Sequence, residues 1–208
     1  MIPQDERERL HQVQGLITLA ESDRLADLAQ AVPHWSSIVE IGTHTGRSTL
    51  WLAAGARAGW GAHITTVDPW PEPGYTAHYE YAKSDDNPFD FPTGQAIYEK
   101  FVENVNAETA WGYLTVLRAA SLDVAATWVN PIGLLFLDAM HGFDDVKADC
   151  EAWLPKVTKG GVIALHDWYD DKELTHPSQV ADALNAVWDQ SAWDTVEMTD
   201  NLFVAVRR

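Results

Sequence analysis

The sequence predicts an α/β fold, a largely parallel sheet with helices on both faces. Short apolar runs alternate with helix-period segments along most of the chain. The runs are near-continuous Val, Ile and Leu, as strands buried on both sides require. Several end in or are followed by a polar residue such as Glu40, Asp68, Ser121, Asp138 or Asp167, on the edge where ligands of such sheets gather.

In order, residues 4 to 32 read as two helical segments, with Leu16, Leu19, Leu25, Leu28 and Val32 on one face. Ser22 is placed to cap the second and Pro33 to stop it. "SSIVEIG" reads as strand, "GRSTLWLAAGAR" as helix and "HITTVDP" as strand. "TGQAIYEKFVENVNAE" reads as helix, "LTVLRA" as strand and "SLDVAATW" as a short helix capped by Ser121. "IGLLFLDAM" is a strand, "FDDVKADCEAWLPKV" a helix and "GGVIALHDW" a strand. The helix "PSQVADALNAVWDQ" and two strands around "DTVEMT" and "LFVAVRR" complete the order. Glu40, Asp68, Ser121, Asp138, His141, His166 and Asp167 all end or follow a strand, so they are expected on one sheet edge.

A chain of 208 residues suits one domain, 1–208, with N-terminal helices over 1–34. The net charge of −17 opposes a nucleic-acid partner, because neutralising phosphates needs Lys/Arg clusters that the sequence lacks. The single cysteine, Cys150, fits a reducing compartment. "MIPQDERERL" reads as no secretory signal and "GLITLA" is too short to span a bilayer, so a cytoplasmic location with no membrane partner is expected.

The first turn has the spacing E-x-G-x-x-x-G through Glu40, Gly42 and Gly46. Its glycines permit backbone angles that let main-chain groups come close to a ligand. A pyrophosphate-binding loop would read G-x-G-x-x-G, which is absent. Asp68, ending the second strand, is suited to accept both hydroxyls of a ribose. A cofactor with adenosine and a cationic sulfonium end fits better, with Glu40 and Asp138 suited to its positive groups.

"VEIGTHTGRSTLWLA" followed by "VDPW" resembles motifs one and two of the class I S-adenosylmethionine-dependent methyltransferases. "LLFLDAMHGFDDVKADCEAWLPKVTKGGVIALHDW" is similar to the O-methyltransferases that include macrolide sugar O-methyltransferases and the cephalosporin-pathway enzymes. The likeness covers roughly residues 36 to 170. It implies a Rossmann-like, mostly parallel seven-stranded sheet with an antiparallel last strand. It also implies that Gly42, Thr43 and Ser48 line the methionine part of S-adenosylmethionine, Asp68 the ribose and Ser121 the adenine. A divalent metal, usually Mg2+, would be held by an acid after the fourth strand and two residues after the fifth: Asp138, His166 and Asp167. The histidine departs from the commoner acid or amide, and imidazole suits transition metals better than magnesium. His141 matches the histidine that serves as base in the sugar O-methyltransferases. A homodimer is expected by analogy, from the N-terminal helices and tail strands.

Adjacent parallel strands lie about 4.8 Å apart, so Asp138 and Asp167 can share one cation. An alcohol, with a pKa near 15.7 like water, is a poor nucleophile at neutral pH until a metal acidifies it. A histidine nearby can then collect the proton. Residues 69–94 form a long loop in which Trp70, Tyr75, Tyr79, Tyr81, Phe89 and Phe91 accompany Glu72, Glu80, Asp85, Asp86 and Asp90, with Lys83 its only cation. Rings that stack on C–H faces and carboxylates that accept O–H donors suit a neutral polyhydroxyl acceptor, a sugar glycoside or oligosaccharide precursor. The alternatives are a phenolic or catechol acceptor, and a methyltransferase-like domain kept for binding without catalysis.

Overall fold

Along each central strand successive side chains enter different layers, as the two-residue period of a strand dictates. Ile38, Leu134 and Phe136 join one buried cluster, and Val39, Ile41, Leu135 and Leu137 join the other. In the computed structural model, which describes residues 2–70, 93–168 and 178–208, the strands are β1 Ser37–Ile41, β2 Ile64–Val67, β3 Leu114–Leu117, β4 Ile132–Leu137, β5 Val157–Leu165, β6 Trp193–Thr199 and β7 Leu202–Arg207. The helices are α1 Gln4–His11, α2 Leu19–Ala31, α3 Arg47–Ala58, α4 Gly94–Ala107, α5 Ser121–Thr127, α6 Phe143–Trp153 and α7 Val180–Val187. Their buried residues divide likewise: Leu10, Leu25, Trp51 and Phe101 lie in the first cluster, and Ala125, Trp153 and Leu184 in the second. Both faces of the sheet are therefore covered.

The order across the sheet is β3-β2-β1-β4-β5-β7-β6. The first five strands are parallel, and β7 runs antiparallel to β5 and β6. The register pairs Ile41 with Val67 and Leu137, Val67 with Leu117, and Leu137 with Leu165. All five parallel strands thus end level, and the turn residues that follow them share one rim.

Three local expectations are corrected. Ser22 does not cap α2. Thr18 does, its hydroxyl accepting from the Glu21 N–H while the Glu21 carboxylate accepts from the Thr18 N–H. With the helix starting at Leu19, Leu16 falls outside it, and Leu16 and Leu19 are exposed while Ile17 is buried. Pro33 does end α2, whose last residue is Ala31. Ser121 is the first residue of α5 and not its cap. It donates to Asp149 (2.5 Å) and accepts from the indole of Trp153 (2.8 Å).

Candidate functional site

The loop between β1 and α3 is shaped by its two glycines. Gly42 has φ +87°, and a Cβ there would stand 2.0 Å from the Asp138 carbonyl oxygen. Gly46, also at φ +87°, ends the loop as the residue before α3, where a Cβ would meet the ring of Phe101 at 2.7 Å. Both angles favour glycine, as expected. The groups that approach are the main chain after β4 and a core ring, so the glycines press the loop against its neighbours.

Asp68 sits at the tip of β2, nearly buried. One of its oxygens accepts from the backbone N–H groups of Thr43 and His44, each at 3.0 Å, and the other from Trp70 (2.8 Å). It therefore fastens the first loop to the second. The His44 carbonyl accepts from the Trp70 indole (2.9 Å). Burial pulls the His44 imidazole down to about 4, which leaves it neutral at physiological pH. Trp70, read as a face of the acceptor loop, is fully buried against Tyr98 and Phe101. The other aromatic and acidic residues named in that loop lie outside the described residues.

Glu40 lies one residue below the rim, fully buried. One carboxylate oxygen accepts from Ser48 and the other from Thr49 and Thr66, all at 2.6 Å. Thr43 in turn bonds Thr66 through its hydroxyl. Glu40 and Ser48, both expected against the methionine end of a cofactor, thus bond each other beneath the loop. Burial pushes the Glu40 carboxyl up to about 7, against the three hydroxyls that favour the anion and with the charge of Asp138 adding to the rise.

Next to this loop, the ends of β4 and β5 carry the second group of residues. Asp138, His141 and Asp167 each offer one atom within 4.8 Å of the others, two oxygens and one nitrogen. The imidazole Nε2 of His141 is 2.6 Å from an Asp167 oxygen. Asp167 holds φ +56°, a left-handed angle that Asp tolerates better than most side chains. Its carbonyl accepts from Ser178, which ties down the turn. Burial works against charge throughout this group. For His141 the hydrogen bond and charge of Asp167 outweigh it and raise the imidazole. For Asp167 the two histidines outweigh it and lower the carboxyl. For Asp138 burial prevails and raises it.

His166 is almost fully buried and engages acids through both nitrogens. Nδ1 lies 3.1 Å from Asp138 and 3.3 Å from Asp167, and Nε2 lies 3.2 Å from Glu21. The three carboxylates raise this imidazole despite its burial. The structure therefore adds His141 to the two aspartates as a set whose atoms converge, while His166 Nδ1 also faces both acids. Two carboxylate oxygens and an imidazole fit a divalent cation, and the nitrogen favours a transition metal over magnesium. Ser121 stands apart, engaged with Asp149, and Asp149 lines the same cleft as Asp138 and His141.

Sequence reasoning missed Glu21. The Thr18-x-x-Glu21 spacing is the capping-box signature, so the helix start was readable there. Its reach to His166, 145 positions away, was not.

A family profile described as a methyltransferase domain matches residues 39–168. Over 133 residues, 62% of this chain, the sequence is 28% identical to the uncharacterized protein y4gI of Sinorhizobium fredii (strain NBRC 101917 / NGR234), and it spans 13% of that protein's length. The structure is similar to the O-methyltransferase from Bacillus cereus in complex with SAH, with a TM-score of 0.68 and 18% identity over 100% of this chain and 93% of that one. It is also similar to cofactor-bound Rv0187 from MTB, with a TM-score of 0.67 and 19% identity over 98% of this chain and 87% of that one. At these identities the structural likeness is one of fold. No described helix is long and apolar enough to cross a membrane.

Proposed function

As the chain belongs to the methyltransferase-domain family, we propose that it moves a methyl group from S-adenosylmethionine to a hydroxyl of a small neutral acceptor, a sugar foremost. One observation carries this reading: Gly42 packs directly on the Asp138 main chain. The loop suited to a nucleoside and the cluster suited to a hydroxyl are therefore shoulder to shoulder. The fold-mates from Bacillus cereus and MTB were solved with SAH and with a cofactor respectively, which supports a cofactor of the same kind here.

In this reading Asp68 accepts the ribose hydroxyls, exchanging its bonds to Thr43 and His44 for ligand donors. Gly42, Thr43 and Gly46 shape the methionine end, while Glu40 and Ser48 hold that wall from behind. Ser121 borders the adenine. Asp138 and Asp167, with His141 beside them, would hold a divalent cation. When bound, such an ion would supply Lewis-acid polarisation of the acceptor hydroxyl.

His141 is assigned as the proton acceptor. Its side chain is 39% exposed against 13% for Asp167, so it borders the open side by which an acceptor enters. The acceptor oxygen bonds to the methyl carbon as the carbon–sulfur bond breaks. The oxygen's proton goes to the ring nitrogen of His141 that Asp167 does not hold, and the products are a methyl ether and S-adenosylhomocysteine. The acceptor preference rests on the composition of residues 69–94, rich in aromatics and acids with Lys83 the single cation. The resemblance to macrolide sugar O-methyltransferases and, among individual enzymes, to the mycobacterial methylmannose polysaccharide 1-O-methyltransferase favours the same class. A cytoplasmic homodimer is the setting we propose.

His141→Ala should lose at least about 100-fold in turnover, the usual scale of general-base catalysis, while calorimetry finds S-adenosylmethionine affinity unchanged. Turnover near that of the native protein would remove His141 from the mechanism. Assays over glycosides and catechols that yield methylated catechols alone would overturn the sugar assignment.

A further inference from the structure

Glu21 is fully buried, 0% exposed, on a helix outside the span that matches the family. A capping-box carboxylate needs only the N–H of the capping residue, and Glu21 does more. Its Oε2 accepts from the Thr18 N–H (2.7 Å) and faces His166 Nε2 (3.2 Å), while its Oε1 accepts from the Asn201 N–H in the β6–β7 turn (2.8 Å). Thr18 also donates to Asp200 in that turn (2.6 Å). Three separate parts of the chain thus meet on one acid: the start of α2, the end of β5 and the β6–β7 turn.

An ionised carboxylate accepts hydrogen bonds and cannot donate them. Facing Glu21, His166 must therefore carry a proton on Nε2, and the ring plane is fixed by that bond. Fixing it leaves Nδ1 directed at Asp138 and Asp167, both of which lie within 3.3 Å. Burying a carboxylate is costly unless donors surround it, so a glutamate serving α2 alone would gain by facing water. We infer that Glu21 is a positioning residue: it sets the orientation of the His166 ring, and through His166 the separation of the Asp138 and Asp167 carboxylates. Helix α2 is by this means part of the reacting site. Only the kinetic side of this inference rests on the proposed methyl transfer.

Glu21→Gln keeps size and helix propensity. It leaves a single acceptor oxygen for the N–H groups of Thr18, Asn201 and His166, which the two carboxylate oxygens share, so the hold on the His166 ring is weakened. Thr18→Ala removes the helix cap without touching His166 and serves as the structural control. In long-range proton–nitrogen NMR spectra of 15N-histidine protein, assigned with a His166→Asn sample, native His166 should show a protonated Nε2 whose proton exchanges slowly. Glu21→Gln should shift that signal. It should also lower turnover about 10–100-fold, the scale for losing a partner of this kind, with KM for S-adenosylmethionine unchanged. Thr18→Ala should keep both the signal and the turnover.

A bare Nε2 in the native protein would overturn the inference, and this needs no variant to fold. So would an unshifted His166 in Glu21→Gln, or a loss in Thr18→Ala equal to that in Glu21→Gln. If the native protein methylates no acceptor, the proposed function fails, and the NMR result still decides Glu21.

Discussion

Glu40→Gln tests the buried acid under the first loop. Glu40 is fully enclosed, and burial raises its carboxyl from 4.5 to about 7 despite hydrogen bonds from Ser48, Thr49 and Thr66. The folded protein therefore binds this proton more tightly than the unfolded chain. The resulting stability is fully present below pH 4.5 and is lost as pH rises through 7. At 1.36 kcal/mol per pH unit, the rise corresponds to on the order of 3 kcal/mol. Glutamine stays neutral throughout, and the three hydroxyls can rotate to accept from its amide. Other groups also titrate in this range, so the informative quantity is the difference between the two proteins. Urea unfolding followed by tryptophan fluorescence at pH 5, 6, 7 and 8 measures it. The variant should gain on the native protein by about 3 kcal/mol from pH 4.5 to 8, most steeply between the two pKa values, at roughly pH 5 to 6.5, and level off above 7. Parallel stability curves would refute the reasoning, because they would mean that Glu40 gives up its proton as easily folded as unfolded.

Gly42→Ala should cost at least about 2 kcal/mol, since its positive φ and its approach to the Asp138 carbonyl both oppose a side chain. Calorimetry should show Tm lower by roughly 4–8 °C, and an unchanged Tm would mean the loop yields freely. Ser121→Ala leaves the buried Trp153 indole N–H without its acceptor, a loss of about 1–3 kcal/mol readable by urea unfolding. A neutral result would mean that another group satisfies the indole.

The element order was legible because each strand and helix carries its own periodicity, and local sequence is enough to express that. So was the rim, since a parallel sheet brings every strand end to one edge. Asp68 and Asp138 were found there by that rule alone. The cap of α2 was open to reading through Thr18 and Glu21, yet Ser22 fits the same pattern of small polar residues at a helix start. Single-chain periodicity does not choose between them. Ser121 was misread for a related reason: a serine at a helix start commonly caps it, and only packing shows it engaged with α6 instead.

The sequence by itself determined that a nucleoside-type loop and two acid–histidine pairs would share one sheet edge, because strand direction and residue spacing are local properties. Only the tertiary structure decided which histidine belongs to which acid. His141 and His166 each stand beside an acid at a strand end along the chain. Folding brings Glu21 from α2 against Nε2 of His166 and leaves His141 more exposed, with Asp167 within 3.3 Å of both. The outcome depends on which helix packs over the end of β5, a contact between distant segments that no local pattern encodes.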